Sequence, residues 1–197
     1  MYALKLVLFA IAWVALIYIL NSLIAGTFKR INIKQLAMYA TSVAMIGVFG
    51  EVFLDTAYKL VVGHPLWYYN ILPVQHGYTS SYALVTWGIY GFHLYLLHGS
   101  LAAKWSITKT RHLALIFCIE ALLLEALLTL SARVVFGKFL YYYLPSDLWH
   151  VSSFQNIPFY FICGVLVLKS LKRFRADPVF FSLMCSALAF VLVFLAK

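Results

Sequence analysis

Residues Glu51 to His76 read EVFLDTAYKLVVGHPLWYYNILPVQH, and residues Glu125 to His150 read EALLTLSARVVFGKFLYYYLPSDLWH. The second stretch follows the first at a constant offset of 74 in the numbering. Identical residues occupy eight of the 26 aligned positions: Glu51, Leu54, Val61, Gly63, Leu66, Tyr68, Tyr69 and His76. Self-similarity at a fixed offset is the signature of an internal repeat. We therefore predict a duplicated unit.

The composition around these stretches predicts an integral membrane protein. Hydrophobic residues make up 64% of the 197 positions, charged residues make up 11%, and the mean hydropathy is +0.93. Membrane-spanning helices need about 20 apolar residues. Six segments approach that length: Ala3 to Ala25, Leu36 to Val62, Tyr82 to His98, Leu113 to Phe136, Ile157 to Leu168 (beginning near Ser153) and Pro178 to Ala196. The predicted fold is all-α, with six transmembrane helices in one domain over residues 1–197.

The repeat divides this domain into two copies of two helices, at about 45–98 and 119–170, with flanking helices at 3–25 and 178–196. An even number of spans keeps the chain direction, so the copies are predicted to be parallel and related by an axis along the membrane normal. Glu51 precedes Gly63 by the same spacing as Glu125 precedes Gly137. With the rise of an α-helix, that spacing puts each carboxyl about 18 Å from the helix end, near the midplane.

Basic residues predict the orientation, because Lys and Arg beside a span resist translocation. Ten of them fall in the first, third and fifth loops: Lys29, Arg30, Lys34, Lys104, Lys109, Arg111, Lys169, Lys172, Arg173 and Arg175. Lys5, Lys138 and Lys197 fall on the other side. We expect both termini to be extracytoplasmic, with a bacterial inner membrane as the location. The net charge of +9 then reflects cytoplasmic flanks near anionic lipid, with no nucleic-acid partner.

A carboxylate at mid-membrane costs about 2.5 to 3.5 kcal/mol on insertion scales, so it normally faces a cavity or a partner. Glu51 and Glu125 are accordingly the predicted catalytic or ligand-holding pair. If they are close, we expect them to share a proton, since burial and a second carboxyl both disfavour ionisation. The alternative is structural, with each carboxyl joining two helices by a hydrogen bond of about 1 kcal/mol.

Further polar residues are candidates for binding a ligand. Spacing predicts that Asp55 pairs with Lys59 one turn later. Arg133 either pairs with Glu125 or extends outward, and Glu120 either lines a cavity or joins helices. The ligand-binding candidates are Asp55, Glu120, Arg133, Trp67, Tyr69, His76, Tyr141, Tyr143, His150 and Asn156.

Both loops that follow the glutamate helices are rich in aromatic residues. An interfacial belt would explain that composition. The repeated order of Gly, Leu, aromatic triplet, Pro and His also fits a re-entrant cap over a cavity.

The histidines and cysteines do not predict a metal site or a cofactor. His93 and His98 are five residues apart, so they do not share one helix face. Cys118, Cys163 and Cys185 lie inside predicted helices without a CxxC spacing and are interpreted as packing residues.

The first copy resembles the CmpB-like family of small polytopic membrane proteins, labelled as type IV ABC-transporter proteins. The resemblance covers about residues 45–98, and more weakly 120–170. Its motifs are Glu51, Gly63, Trp67, Tyr69, Pro73, Gly77, Thr79-Ser80, Ala83-Leu84, Trp87-Gly88 and Tyr90-Gly91. The family's Trp-Asp-Tyr is Trp67-Tyr68-Tyr69 here. A looser similarity is to the membrane cyclases of carotenoid synthesis, although their Pro-x-Glu-Glu or Pro-x-Glu-Asp motif is replaced by Gly77-Tyr78-Thr79-Ser80.

These observations lead to three hypotheses. In the first, the protein binds a lipid or isoprenoid-like molecule between the repeats, entering from the outer half, and a protonated Glu acts as a general acid if the protein is an enzyme. In the second, it is a small-solute or proton-coupled transporter or permease subunit. In the third, it is a scaffold subunit of a membrane complex. The expected partners are membrane lipids, the ligand, and another membrane protein or a second copy of this chain.

Overall fold

The structure is a computed structural model that describes residues 2–195. Within that range the chain forms six α-helices: α1 (Tyr2–Ala25), α2 (Ile33–Val62), α3 (Ala83–Trp105), α4 (Thr110–Phe136), α5 (Ile157–Arg173) and α6 (Pro178–Phe190), the last continued by a π-helical turn (Val191–Leu195). The six predicted helices are confirmed. The predicted end of the last helix at Ala196, and Lys197, lie outside the described residues.

Four helical segments are long and apolar enough to cross a membrane: α1, α2, α4 and Phe154–Arg173. Their outward faces carry exposed apolar side chains such as Leu60, Val61 and Val134. Such faces are stable in hydrocarbon, where no water penalises them. The chain is therefore an all-α membrane protein.

Four short strands lie between the helices. They are β1 (Trp67–Tyr69), β2 (Pro73–Val74), β3 (Thr79–Ser80) and β4 (Tyr141–Tyr143). Strand β2 pairs with β3, and β1 pairs antiparallel with β4. We call the end of the bundle that carries them the strand end. The opposite end, which carries the ten basic residues of the first, third and fifth loops, is called the basic end.

The helices that hold Glu51 and Glu125 end in the same way. Gly63 has φ = 90° and donates its N–H to the Lys59 carbonyl, and Gly137 has φ = 69° and donates to the Arg133 carbonyl. Glycine adopts this left-handed conformation without steric cost, which makes it the usual residue at such a helix end. Each glycine therefore turns the chain into an aromatic strand at the same distance from its glutamate.

Helix packing also recurs at equivalent positions. Helix α3 approaches α2 where a side chain added at Gly91 would come within 2.6 Å of the Ala40 Cα atom. Helix α5 approaches α4 where one added at Gly164 would come within 3.4 Å of the Ala114 Cα atom. Small residues at such crossings let two backbones pack closely within a membrane. Helix α1 packs on α3, and α6 packs on α2.

The two aromatic triplets pair with each other. Trp67 lies opposite Tyr143, Tyr68 opposite Tyr142, and Tyr69 opposite Tyr141. This register is centred on Tyr68 and Tyr142, which are themselves equivalent in the predicted repeat. The first and third side chains of each strand are buried. The triplets thus cover the interior of the bundle instead of forming an exposed belt, and their pairing was not predicted.

Candidate functional site

Glu51 lies on α2 with its carboxylate inside a shell of donors. The hydroxyls of Tyr69 and Thr79 donate to its Oε1 and Oε2 respectively, and the Trp87 indole Nε1 donates to Oε1 at 2.9 Å. The residue is 4% exposed. Three donors satisfy most of the acceptor capacity of this carboxyl, which makes its burial tolerable.

Glu125 lies on α4 in a closely similar shell. The Tyr143 hydroxyl donates to its Oε1 and the Ser152 hydroxyl to its Oε2. Asn156 Nδ2 donates to the Tyr143 oxygen, which leaves the hydrogen of that hydroxyl to point at Glu125. Tyr160 also lies within hydrogen-bonding reach of this carboxyl. Unlike Glu51, Glu125 is partly exposed.

The two shells use equivalent residues. Tyr69 and Tyr143 are 74 positions apart, whereas Thr79 and Ser152 are 73 apart, as are Trp87 and Tyr160. The offset changes because the chain between His150 and Ser152 is one residue shorter than its counterpart. Each carboxyl therefore meets a tyrosine from a strand, a Thr or Ser hydroxyl from the segment before the next helix, and an aromatic residue from that helix.

Both carboxyls line one cavity of about 80 Å³ in the middle of the bundle. Its wall is mainly aromatic and aliphatic. Besides the two glutamates, the cavity is lined by Trp13, Ile17, Tyr69, Thr86, Trp87, Ile89, Tyr90, Ala121, Leu124, Leu128, Tyr141 and Tyr160. The wall residues from α1 and α5 are buried, and most of those from α3 and α4 are partly exposed. The more exposed part of the wall is thus formed by α3 and α4, while the paired strands cover the cavity toward the strand end.

Two glycines of α2 make room for the rings beside Glu51. A side chain added at Gly47 would come within 2.3 Å of the Trp87 ring, and one added at Gly50 would come equally close to the Phe159 ring. Only a residue without Cβ lets these rings lie flat against the helix. Gly47 therefore positions the Trp87 indole that donates to Glu51.

The burial of the strand tyrosines changes their acidity. Burial and neighbouring carboxylates raise the pKa of Tyr69, Tyr141 and Tyr143 well above the usual 10.0. Both causes disfavour the phenolate. These hydroxyls remain hydrogen-bond donors over the whole physiological pH range.

The predicted ion pair between Asp55 and Lys59 is wrong. Asp55 is fully buried, and its Oδ1 accepts the backbone N–H of Leu66 at 2.7 Å. Lys59 instead lies over the ring of Tyr78, 5.7 Å from its centre. Asp55 thus holds the start of β1 and has no contact with the cavity, because the N–H groups before the strand need an acceptor.

Three other candidates lie away from the cavity. Arg133 is exposed, and its Cζ lies 4.9 Å from the centre of the Phe139 ring. Its side chain therefore extends outward and does not pair with Glu125. His76 is exposed in a surface groove near Lys59. His150 is exposed and has its Nδ1 2.7 Å from the Tyr143 carbonyl. These residues shape the loops and do not line the site.

Glu120 belongs to a second polar cluster, on the basic side of the cavity. The Tyr90 hydroxyl is 3.0 Å from Glu120 Oε1, and His93 Nε2 is 2.7 Å from Oε2. Asn21 Nδ2 lies 2.8 Å from His93 Nδ1. Tyr90 also lines the cavity, so this cluster adjoins the glutamate pair.

Among the described residues, no group of three or more His, Cys, Asp and Glu side chains is arranged to hold a metal ion. Cys118, Cys163 and Cys185 are free thiols. The acidic site is therefore made of carboxyls, hydroxyls and rings.

Four of the ligand-binding candidates lie beside the two glutamates: Trp67, Tyr69, Tyr141 and Tyr143. The sequence did not identify four further residues of the two shells as site residues: Thr79, Trp87, Ser152 and Tyr160. Their equivalence appears only when the offset is lowered to 73 after the second loop. Allowing a single gap in the repeat would have found them.

The resemblance to the CmpB-like family stays a prediction. The chain matches no protein-family model, and neither a curated protein nor a solved structure matches it significantly.

Proposed function

We propose that this protein binds a lipid or isoprenoid-like molecule with one end in the central cavity, where Glu51 and Glu125 hold or protonate it. One observation carries the proposal. Two carboxyls that accept hydrogen bonds from equivalent donors line a cavity whose wall is otherwise mainly aromatic and aliphatic. An apolar pocket with a few convergent polar groups is the usual form of a small-molecule site.

The size of the cavity restricts the ligand. Pockets that enclose a whole drug-sized ligand have volumes of roughly 300 Å³ or more. The central cavity is several times smaller than that. It accommodates the end of an elongated molecule whose remainder lies among the lipid chains. The more exposed wall along α3 and α4 supports entry from the bilayer, and the covered strand end argues against the entry from the outer half that the sequence suggested.

The difference between the two carboxyls supports distinct roles. Glu51 is buried and receives three donors, which stabilise its carboxylate form and leave it able to accept a proton from the ligand. Glu125 is partly exposed within the cavity and is suited to meet the ligand first as a general acid. In such a reaction Glu125 gives a proton to the ligand and Glu51 takes one from it, so the proton count balances.

The proposed setting is a bacterial inner membrane with both termini extracytoplasmic, which places the strand end outside. The concentration of Lys and Arg at the basic end supports this orientation. A proton-coupled transporter or permease subunit and a scaffold subunit remain the other outcomes of the test.

The test compares the wild type with the double variant Glu51→Gln and Glu125→Gln, purified in mild detergent. Native mass spectrometry and extraction would identify any molecule retained. Asp177→Asn is the matched control, because Asp177 caps α6 at the basic end, away from the cavity. The proposal requires a defined apolar molecule in the wild type and the control, and its loss from the double variant.

Equal, unspecific lipid in all three proteins would contradict the proposal and favour a scaffold. If the wild type in lipid vesicles moves protons across the vesicle membrane and the double variant does not, a carrier would be favoured instead. Both contrary outcomes require that the variant keeps its fold, which far-ultraviolet circular dichroism would check.

A further inference from the structure

The cluster of Asn21, His93, Glu120 and Tyr90 lies beside the cavity and has no part in the two carboxyl shells. It joins three helices: Asn21 from α1, Tyr90 and His93 from α3, and Glu120 from α4. Glu120 precedes Glu125 by five residues, which places it about 7.5 Å nearer the basic end. Ionisable groups at this depth in a membrane are costly and mark functional sites by default.

Helix packing does not explain this cluster. Glu120 corresponds to Ile46 at the offset of 74, and Tyr90 and His93 correspond to Cys163 and Leu166 at the offset of 73. The equivalent crossing is that of α2 with α5, one helix from each copy, and it has Ile46, Cys163 and Leu166 in place of these polar groups. Ile46 and Cys163 line a small space between these helices. The polar cluster is an addition to one side of the bundle, the side of the cavity.

The hydrogen bonds of the Tyr90 hydroxyl indicate a mobile proton. The Tyr90 hydroxyl has one hydrogen but two acceptors, the Phe117 carbonyl at 2.9 Å and Glu120 Oε1 at 3.0 Å. Both contacts are hydrogen bonds only when a second hydrogen, carried by Glu120, lies between the two groups. Tyr90 therefore connects a carboxyl proton on one side with the cavity on the other.

His93 and Asn21 complete the surroundings of Glu120. Asn21 Nδ2 also donates to the Ile17 carbonyl at 2.9 Å, so its other hydrogen faces His93 Nδ1. The ring then carries its own hydrogen on Nε2, toward Glu120. That contact of 2.7 Å lacks a linear hydrogen-bond geometry. The other titratable groups near Tyr90 are the thiols of Cys118 and Cys163. His93 is placed to stabilise a negative charge on Glu120.

We propose that Glu120 is a proton reservoir for the cavity and that Tyr90 is the connection. Once Glu125 has given its proton to the ligand, or to water when no ligand is bound, Glu120 passes its proton to the Tyr90 oxygen. The Tyr90 hydrogen turns from the Phe117 carbonyl and passes through a water molecule in the cavity to the Glu125 carboxylate. Glu120 is left as a carboxylate facing His93 Nε2–H, and the reverse transfer restores it. This inference rests on the proposed function for its purpose, but the transfer itself needs no ligand.

The test measures how fast the Glu125 carboxyl proton exchanges with deuterium in ligand-free protein. Stopped-flow infrared spectroscopy after transfer to D₂O follows the carboxyl band, which subtraction of the Glu125→Gln spectrum assigns. The key variants are Tyr90→Phe, which removes the connecting hydroxyl, and Glu120→Gln, which removes the reservoir. Tyr95→Phe on the same helix is the control, because its hydroxyl contacts the Asn32 N–H at the basic end.

Both key variants should slow the exchange by about a hundredfold, the low end of the effect of a positioned proton-transfer group. The control should exchange at the wild-type rate. Exchange at the wild-type rate in Tyr90→Phe, or equal slowing in all three variants, overturns the proposal. Ligand retention is measured in parallel, so slowed exchange without a retained molecule would support the reservoir and reject the proposed function.

Discussion

At the scale of single residues, Glu51 and Glu125 differ in access more than in bonding. Both accept hydroxyl donors from a strand tyrosine and from a serine or threonine before the next helix, but only Glu51 also receives an indole N–H. Because the proposed entry to the cavity is from the bilayer, we expect access to decide which carboxyl an apolar reagent meets first.

A lipophilic carbodiimide, which reacts with protonated carboxyls, should therefore label Glu125 faster than Glu51. Mass spectrometry of peptides after a time course would measure both rates. The Glu125→Gln variant should lose the fast labelling site. Labelling of the exposed Asp147 should not depend on how apolar the carbodiimide is. Faster labelling of Glu51 would contradict the proposed roles.

At the same scale, the acidity of the strand tyrosines predicts how stability depends on pH. Their folded pKa lies above the usual 10.0, so the folded state holds the phenol proton more tightly than the unfolded state. The free energy of unfolding should stay level below about pH 10 and fall as the pH rises above it, by about 1.4 kcal/mol per pH unit for each such tyrosine.

The variants Tyr69→Phe and Tyr142→Phe would separate this effect from other titrations. Tyr69 is buried between the two glutamates, whereas Tyr142 is half-buried on the outer side of β4. Equilibrium unfolding in mixed micelles between about pH 8 and pH 11 would measure the slopes across the tyrosine range. The slope should decrease in Tyr69→Phe, and an unchanged slope in that variant would sink the explanation.

At the scale of secondary-structure elements, the close contact of α2 with the ring of Trp87 depends on Gly47. A methyl group added there overlaps the indole. The variant Gly47→Ala should therefore destabilise the protein by about 1–3 kcal/mol, the usual cost of overpacking. It should also move the indole away from Glu51. Thermal unfolding and tryptophan fluorescence would measure the two effects.

Gly88→Ala is the control for this prediction. Nothing lies within 4 Å of a side chain added at Gly88. The change also raises helix propensity by up to about 1 kcal/mol. Equal destabilisation in both variants would show that the close contact at Gly47 is not the cause.

At the scale of the whole molecule, the orientation in the membrane is open to a direct test. Trp149 at the strand end is 81% exposed, and Phe28 at the basic end is 79% exposed. In a background without Cys118, Cys163 and Cys185, an impermeant maleimide added to intact cells should label Trp149→Cys and spare Phe28→Cys until the cells are opened. The reverse pattern would invert the proposed topology.

Much of the whole molecule followed from the sequence. Helix number depends on the length of apolar runs, and the glutamate spacing depends on a helical rise that hardly varies. The contacts of Asp55 and Lys59 could not be predicted from the sequence. Helical spacing shows that the two side chains can meet, but it does not show that backbone N–H groups later in the chain compete for the Asp55 carboxylate. The positions of Thr79 and Trp87 depended on a one-residue change in loop length.

The membrane setting, the six helices and the matching spacing of Glu51 and Glu125 could be predicted from the amino-acid sequence, since these depend on composition and local periodicity. The packing of the helices and loops settles the rest: the aromatic triplets pair into a sheet, both carboxyls line one cavity, and Glu120 meets His93. These features join residues far apart in the chain, and packing selects among many partners that local sequence leaves equally possible. The sharing of one cavity by two bonded carboxyls is thus a property of the fold.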